Sequence, residues 1–211
     1  MKMRDTQAAV TSIAVFDIDG TLLDSSDVDF KLYMESVQAV LGDVEFRDDW
    51  AAYEHVSDLG ILRSIIRDNG LSHEAALIAQ VKRVFVQSMD DYLQTHGPFN
   101  EVPGALDFVR ALRRSSDTDV AYATGGWKAT ATLKLQASGF PLDDLPLATS
   151  DEYEDRVSIM RSAVSALSQP VSGITYYGDG IWDQLACEQL GWNFVAVGKR
   201  LGGIEAFEPI A

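Results

Sequence analysis

Ile13-Ala14-Val15-Phe16-Asp17-Ile18-Asp19-Gly20-Thr21-Leu22-Leu23-Asp24 is an apolar run that delivers two carboxylates, two positions apart, into a glycine turn. An extended strand points residues i and i+2 to one side. Asp17 and Asp19 stand where the strand gives out, so Gly20 can turn the chain and aim both acids at one small volume. Two carboxylates that close repel each other. Holding both ionised calls for a cation, and oxygen ligands at a strand end suit Mg²⁺, which takes few carboxylates, several waters and a substrate phosphate. Asp, Gly and Thr are also ordinary turn residues, so taken alone the stretch reads equally as a strand ending in a polar turn.

Outward from this strand the texture changes twice. From about Val28 to Leu93 the apolar positions recur at helical spacing, as in Val28, Leu32, Val37, Val40 and Leu41, and later Ile78, Val81, Phe85 and Met89. Gly42, Gly60 and Gly70 divide this region into three or four helices. After Val102-Pro103-Gly104, helices and strands alternate. Helices are predicted over Ala105–Arg113, Trp127–Ala137, Arg156–Leu167 and Ile181–Leu190, and strands over Asp119–Ala123, Leu145–Ala148, Gly173–Tyr177 and Asn193–Val197. Such alternation implies parallel pairing through right-handed crossovers, an α/β fold with a Rossmann-like sheet covered by helices on both faces. The helical segment then becomes a small all-helical insertion over residues 25–94, and residues 1–24 and 95–211 form the α/β core.

Ligands of open parallel sheets bind beyond the carboxyl ends of strands. Three of those ends carry polar residues. Asp17 and Asp19 follow the first, Thr124-Gly125-Gly126 the second, and Gly178-Asp179-Gly180-Ile181-Trp182-Asp183 the fourth. A hydroxyl and glycine N–H groups at a helix start suit an anion, although Thr124 could equally cap the helix. Asp179 could coordinate a metal directly and Asp183 orient it through a water or an outer hydrogen bond, or both could be capping or solvated acids.

In motif order and approximate spacing, Asp17-x-Asp19-Gly20-Thr21, Thr124 and Gly178-Asp179-x-x-x-Asp183 together resemble the haloacid dehalogenase-like superfamily of hydrolases, in its phosphatase branch, over nearly the whole chain. The resemblance implies Asp17 as the nucleophile that becomes an aspartyl-phosphate and Asp19 as general acid/base. It further implies that Asp17, the backbone carbonyl of Asp19 and Asp179 hold Mg²⁺, with Asp183 in support, and that Thr124 and the Gly125 N–H bind the phosphoryl group. Gly20 and Thr21 join Gly125 as implied substrate-binding positions. This agrees with elementary chemistry, since a carboxylate attacks phosphorus only when charge on both partners is offset. Family dehalogenases lack the second acid, so Asp19 favours phosphate-ester hydrolysis over carbon–halogen cleavage.

The superfamily usually places a lysine, less often an arginine, near the start of the helix before the last acidic motif. Arg156 stands at that distance, and guanidinium binds phosphate in a bidentate fork. A surface arginine paired with Glu152, Glu154 or Asp155 is the alternative, with Arg161 and then Lys128 as substitutes. The insertion corresponds to a helical cap, which would exclude bulk water during transfer. The expected activity is hydrolysis of a small phosphorylated metabolite. A sugar phosphomutase is the alternative within the family, and a non-catalytic regulatory domain the alternative outside it. Phosphonate hydrolysis would need a cap lysine, for which Lys31 and Lys82 are candidates.

Composition sets outer limits. A net charge of −15 on 211 residues argues against nucleic acid or an anionic membrane as partner. A local metal ion can still reverse the field in one pocket. The lone Cys187 excludes an intramolecular disulfide and suits a reducing compartment. The polar first residues lack a signal-peptide layout. The expectation is a cytoplasmic monomer or homodimer.

Overall fold

The computed structural model describes residues 11–167 and 171–210. Five strands, β1 (Thr11–Phe16), β2 (Thr118–Ala123), β3 (Leu147–Ala148), β4 (Val171–Gly178) and β5 (Asn193–Ala196), pair in parallel in the order β3-β2-β1-β4-β5. Among the described residues seven α-helices accompany them: α1 (Ser26–Leu41), α2 (Asp58–Asp68), α3 (Glu74–His96), α4 (Ala105–Arg114), α5 (Lys128–Ala137), α6 (Arg156–Ser165) and α7 (Ile181–Leu190). The expected α/β class and parallel sheet are therefore present. Strand order reverses between β1 and β4, the point at which such sheets open a crevice at their carboxyl ends.

The two-residue period of β1 divides the core. Ile13 and Val15 face Ile159, Met160 and Ala163 of α6 and Ala186 and Cys187 of α7. Ala14 and Phe16 face the opposite layer, with Val109 of α4 and, beyond it, Tyr33, Leu62 and Phe85 of the first three helices. A strand buried on both sides cannot alternate polar residues, which is why its sequence from Ile13 to Phe16 is apolar throughout. On the second layer Tyr33, Phe85 and Trp127 meet edge-on or tilted with centroids 5.6–6.0 Å apart, so α1 and α3 rest on the entry to α5.

One expected break is displaced. Gly42 ends α1 and Gly70 separates α2 from α3, but Gly60 lies within the first turn of α2, after a 3-10 turn at Trp50–Ala52. A Cβ on Gly60 would come within 2.7 Å of the His55 carbonyl oxygen. This glycine answers to close packing and not to chain breaking. The break before it is made instead by Ser57, whose hydroxyl accepts the Gly60 N–H at 3.1 Å and caps the helix.

Candidate active site

The three polar strand ends converge. Asp17 follows β1 directly, and its N–H continues the ladder to the Tyr177 carbonyl of β4 (2.9 Å), which fixes the direction of its buried side chain. Thr124 follows β2 and is likewise buried, its N–H donating to Ala148 and its hydroxyl accepting the Gly126 N–H at 3.1 Å. Asp179 follows β4, and Asp183 lies one turn into α7 and wholly inside the protein. One oxygen from each of Asp17, Asp179 and Asp183 can be chosen so that all lie within 4.8 Å of one another.

Glycine makes this convergence possible at two positions. Gly20 has φ +77°, and a Cβ there would lie 2.4 Å from Asp179 Oδ2. Only a residue without a side chain lets the β1 turn approach the β4 end so closely. A Cβ on Gly125 would meet the Arg156 guanidinium at 2.7 Å. Arg156 opens α6, behind an Asp155 cap that accepts the Ser158 N–H, and reaches back across that glycine. Its Nε donates to the Val56 carbonyl (3.0 Å), and Nη1 stands 3.4 Å from Asp17 Oδ1 and 3.3 Å from Asp183 Oδ1. Arg161 and Lys128 are exposed. Of the cations considered, Arg156 is the one beside the acids.

Burial pushes the Asp17 carboxyl up, the Arg156 charge opposes that shift, and neighbouring Asp19 adds to it. Asp179 is raised to about 7, by burial first and by Asp17 second. Asp183 is raised to about 8, again by burial above all, with Arg156 opposing and Asp17 and Asp179 adding. These are buried oxygen donors crowded by like charge, which is the donor set a divalent cation would satisfy. Asp183 is the most heavily engaged of the three, whereas Asp17 and Asp179 each meet an arginine through one oxygen. Asp183 Oδ2 accepts the Gly180 N–H (3.3 Å) and its Oδ1 meets Arg156 and the Tyr176 hydroxyl (3.4 Å). That leaves Asp17 and Asp179 for the ion and Asp183 as their support.

Asp19 points elsewhere. Both of its carboxylate oxygens lie 2.6 Å from Lys134 Nζ, and Oδ1 also accepts the Ser25 hydroxyl at 2.5 Å. The same Nζ lies 2.5 Å from Asp29 Oδ1 on α1. Sequence reasoning did not single out Lys134. The structure places it on the buried face of α5, with Thr130 and Ala131 four and three residues before it.

Asp17, Asp19, Thr124, Gly125, Arg156 and Asp179 line a cavity of about 330 Å³. Its opposite wall comes from the helical segment and presents Phe30, Tyr33 and Trp50 with Asp27, Asp29 and Asp58. Trp182 and Arg200 close the rim, the guanidinium lying 3.5 Å from Asp179 Oδ2 and stacked over the indole. Gly20 and Thr21 are not on this wall; Thr21 is wholly buried with its hydroxyl unpartnered. Trp127 belongs to the core. Cys187 packs against the sheet, its thiol pushed up to about 12 by burial.

Solved structures share this architecture. A hydrolase from Pseudomonas syringae superposes with a TM-score of 0.70 at 22% identity, over 89% of this chain and 84% of that one. CbbY from Rhodobacter sphaeroides, in complex with phosphate, gives 0.69 at 18% identity over 93% and 88%. The β-phosphoglucomutase of Clostridium difficile gives 0.69 at 12% identity over 90% and 86%. At such identities the likeness speaks for the fold alone. No curated protein sequence matches the chain. Residues 11–191, which carry all three strand-end motifs and Arg156, match the family described as haloacid dehalogenase-like hydrolase. The chain that gathers its acids at the ends of β1 and β4 belongs to the haloacid dehalogenase-like hydrolases.

Proposed function

We propose that the protein is a Mg²⁺-dependent phosphomonoesterase that works through an aspartyl-phosphate on Asp17. The observation that carries this reading is the meeting of Asp17, Asp179 and Asp183 within 4.8 Å, with Arg156 3.4 Å from the Asp17 carboxylate. In the first step an Asp17 oxygen forms a bond to phosphorus, the bond to the leaving oxygen breaks, and Asp19 gives that oxygen a proton. In the second step Asp19 takes a proton from water as its oxygen attacks phosphorus, which releases phosphate and restores Asp17. Arg156, Thr124 and the Gly125 N–H hold the phosphoryl oxygens in place through both steps. When bound, Mg²⁺ acts as a Lewis acid that offsets charge on the phosphoryl group and the nucleophile.

The helical wall supports hydrolysis over the mutase alternative. A mutase must hold a second phosphate on the same substrate, and the wall facing the acids offers three aromatic rings and three carboxylates. Among the lining residues the cations are Arg156, at the phosphoryl site, and Arg200, at the rim. Lys31 and Lys82 are not on the wall and pair with Glu35 and Asp151, so neither supports phosphonate chemistry. The reading is therefore a small phosphorylated metabolite, a monoester with one phosphoryl group. Residues 25–94 act as its cap over a core of residues 1–24 and 95–211. The net charge of −15 supports a small-molecule substrate, and not nucleic acid or membrane, for a monomer or homodimer. The buried thiol supports a cytoplasmic setting.

The test is release of phosphate from p-nitrophenyl phosphate with Mg²⁺. Activity should require the metal and vanish in Asp17→Asn, whose amide is a poor nucleophile. Full turnover by that variant would remove Asp17 from the role.

A further inference from the structure

We infer that Lys134, with Asp29, is a positioning residue that fixes the orientation of the Asp19 carboxylate and links it to the first helix after the active-site turn. The inference rests on the phosphatase reading above. Three observations carry it. The Lys134 side chain is wholly buried, and its ammonium lies 2.6 Å from both oxygens of Asp19 and 2.5 Å from Asp29 Oδ1. The three groups come from different parts of the fold: Lys134 from α5, Asp19 from the turn after β1, Asp29 from the first turn of α1. Ser25, at the entry to α1, adds a second donor to the same Asp19 oxygen.

A lysine is almost never buried unless paired, and a buried ion pair is a poor source of stability, since an apolar group of similar volume usually does as well. What such a contact does supply is direction. With an ammonium bridging both oxygens and a hydroxyl on one, the Asp19 side chain has a single low-energy orientation, whereas an aspartate at a turn would otherwise sample several rotamers. General acid–base catalysis depends on that orientation, because the proton must travel along a hydrogen bond to the leaving oxygen. Asp29 extends the link to α1, the helix that also brings Phe30 and Tyr33 to the cavity. The position of the substrate wall and the direction of the acid are thus set by one cation. Lys134 lines no part of the cavity and touches no reacting atom.

The experiment compares two substrates in Lys134→Met. For an alkyl phosphate the leaving alkoxide needs a proton, whereas p-nitrophenolate leaves readily without one. kcat/KM reports the first phosphoryl transfer alone. The expected result is a fall of about a hundredfold for the alkyl ester, within the range of general acid catalysis, and at least tenfold less for p-nitrophenyl phosphate. In an Asp19→Ala background the same substitution should leave the ratio of the two substrates unchanged, because there is no acid left to orient. Lys134→Gln/Asp29→Asn, a neutral pair of similar shape, repeats the test without leaving the Asp29 charge buried and unpaired, and should show the same selectivity. Equal losses on both substrates, or a further change of ratio in Asp19→Ala, would overturn the Lys134 assignment and leave the phosphatase reading standing. Failure of the wild-type protein to release phosphate from either ester would overturn both.

Discussion

Arg156 shows how residue identity, place and charge combine. Its guanidinium touches Asp17 on one side and Asp183 on the other, and those two carboxylates are what hold its own pKa above the ordinary value against burial. A charge so placed is permanent, and it offsets negative charge where the phosphoryl oxygens would lie. Arg156→Ala should lower kcat/KM by at least a hundredfold, as for loss of one preorganised donor at a developing anion, while exposed Arg161→Ala stays within twofold. Steady-state kinetics on one phosphate ester reads both, and the reverse ranking would move the role to Arg161. At this scale the acids and Arg156 were legible in the sequence because the motif spacing names them. Lys134 was not, since a lysine between two leucines of an amphipathic helix looks like a solvated side chain until the turn after β1 is seen above it.

At the scale of elements, most of the fold was legible and the reason is periodicity. The apolar stretches Ile13–Phe16 of β1 and Val120–Ala123 of β2 announce strands buried on both faces, and the helix spacing of Val81, Phe85 and Met89 marks the inward stripe of α3. Glycines were less reliable guides. Gly42 and Gly70 punctuate helices, but Gly60 serves a close contact, and local sequence does not distinguish the two uses. What local sequence also omits is which rings meet. Phe85 packs between Tyr33 and Trp127, three rings from α1, α3 and the start of α5. Phe85→Ala would leave a cavity at this junction and should cost about 3–5 kcal/mol of unfolding free energy in a denaturant titration. A loss below about 1 kcal/mol would show that the helices of residues 25–94 hold together without it.

For the whole molecule the acidic site makes stability depend on pH. Asp179 and Asp183 titrate near 7 and 8 in the folded protein against an ordinary 3.8, so the folded state binds protons that the unfolded chain has released. Their contribution to stability is therefore fully present near and below the ordinary carboxylate pKa and is lost as pH rises from about 4 to about 8. The net charge of −15 acts in the same direction through self-repulsion. The metal-free protein should melt at lower temperature at pH 8 than at pH 5.5, and Asp183→Asn should flatten that slope. Added Mg²⁺ should raise the melting temperature more at pH 8 than at pH 5.5, because the ion needs its carboxylates deprotonated. A metal-free protein more stable at pH 8 would contradict the buried, crowded state of these acids.

The proposed function turns on one event, the transfer of a phosphoryl group to a carboxylate oxygen of Asp17. That event can be caught by quenching the protein during turnover of a phosphate ester, reducing with borohydride and mapping the peptides by mass spectrometry. An aspartyl-phosphate is reduced to homoserine, so the account predicts homoserine at position 17 and an unchanged aspartate at position 19. Phosphate release at full rate with no homoserine at position 17, or with homoserine at position 19, would contradict it.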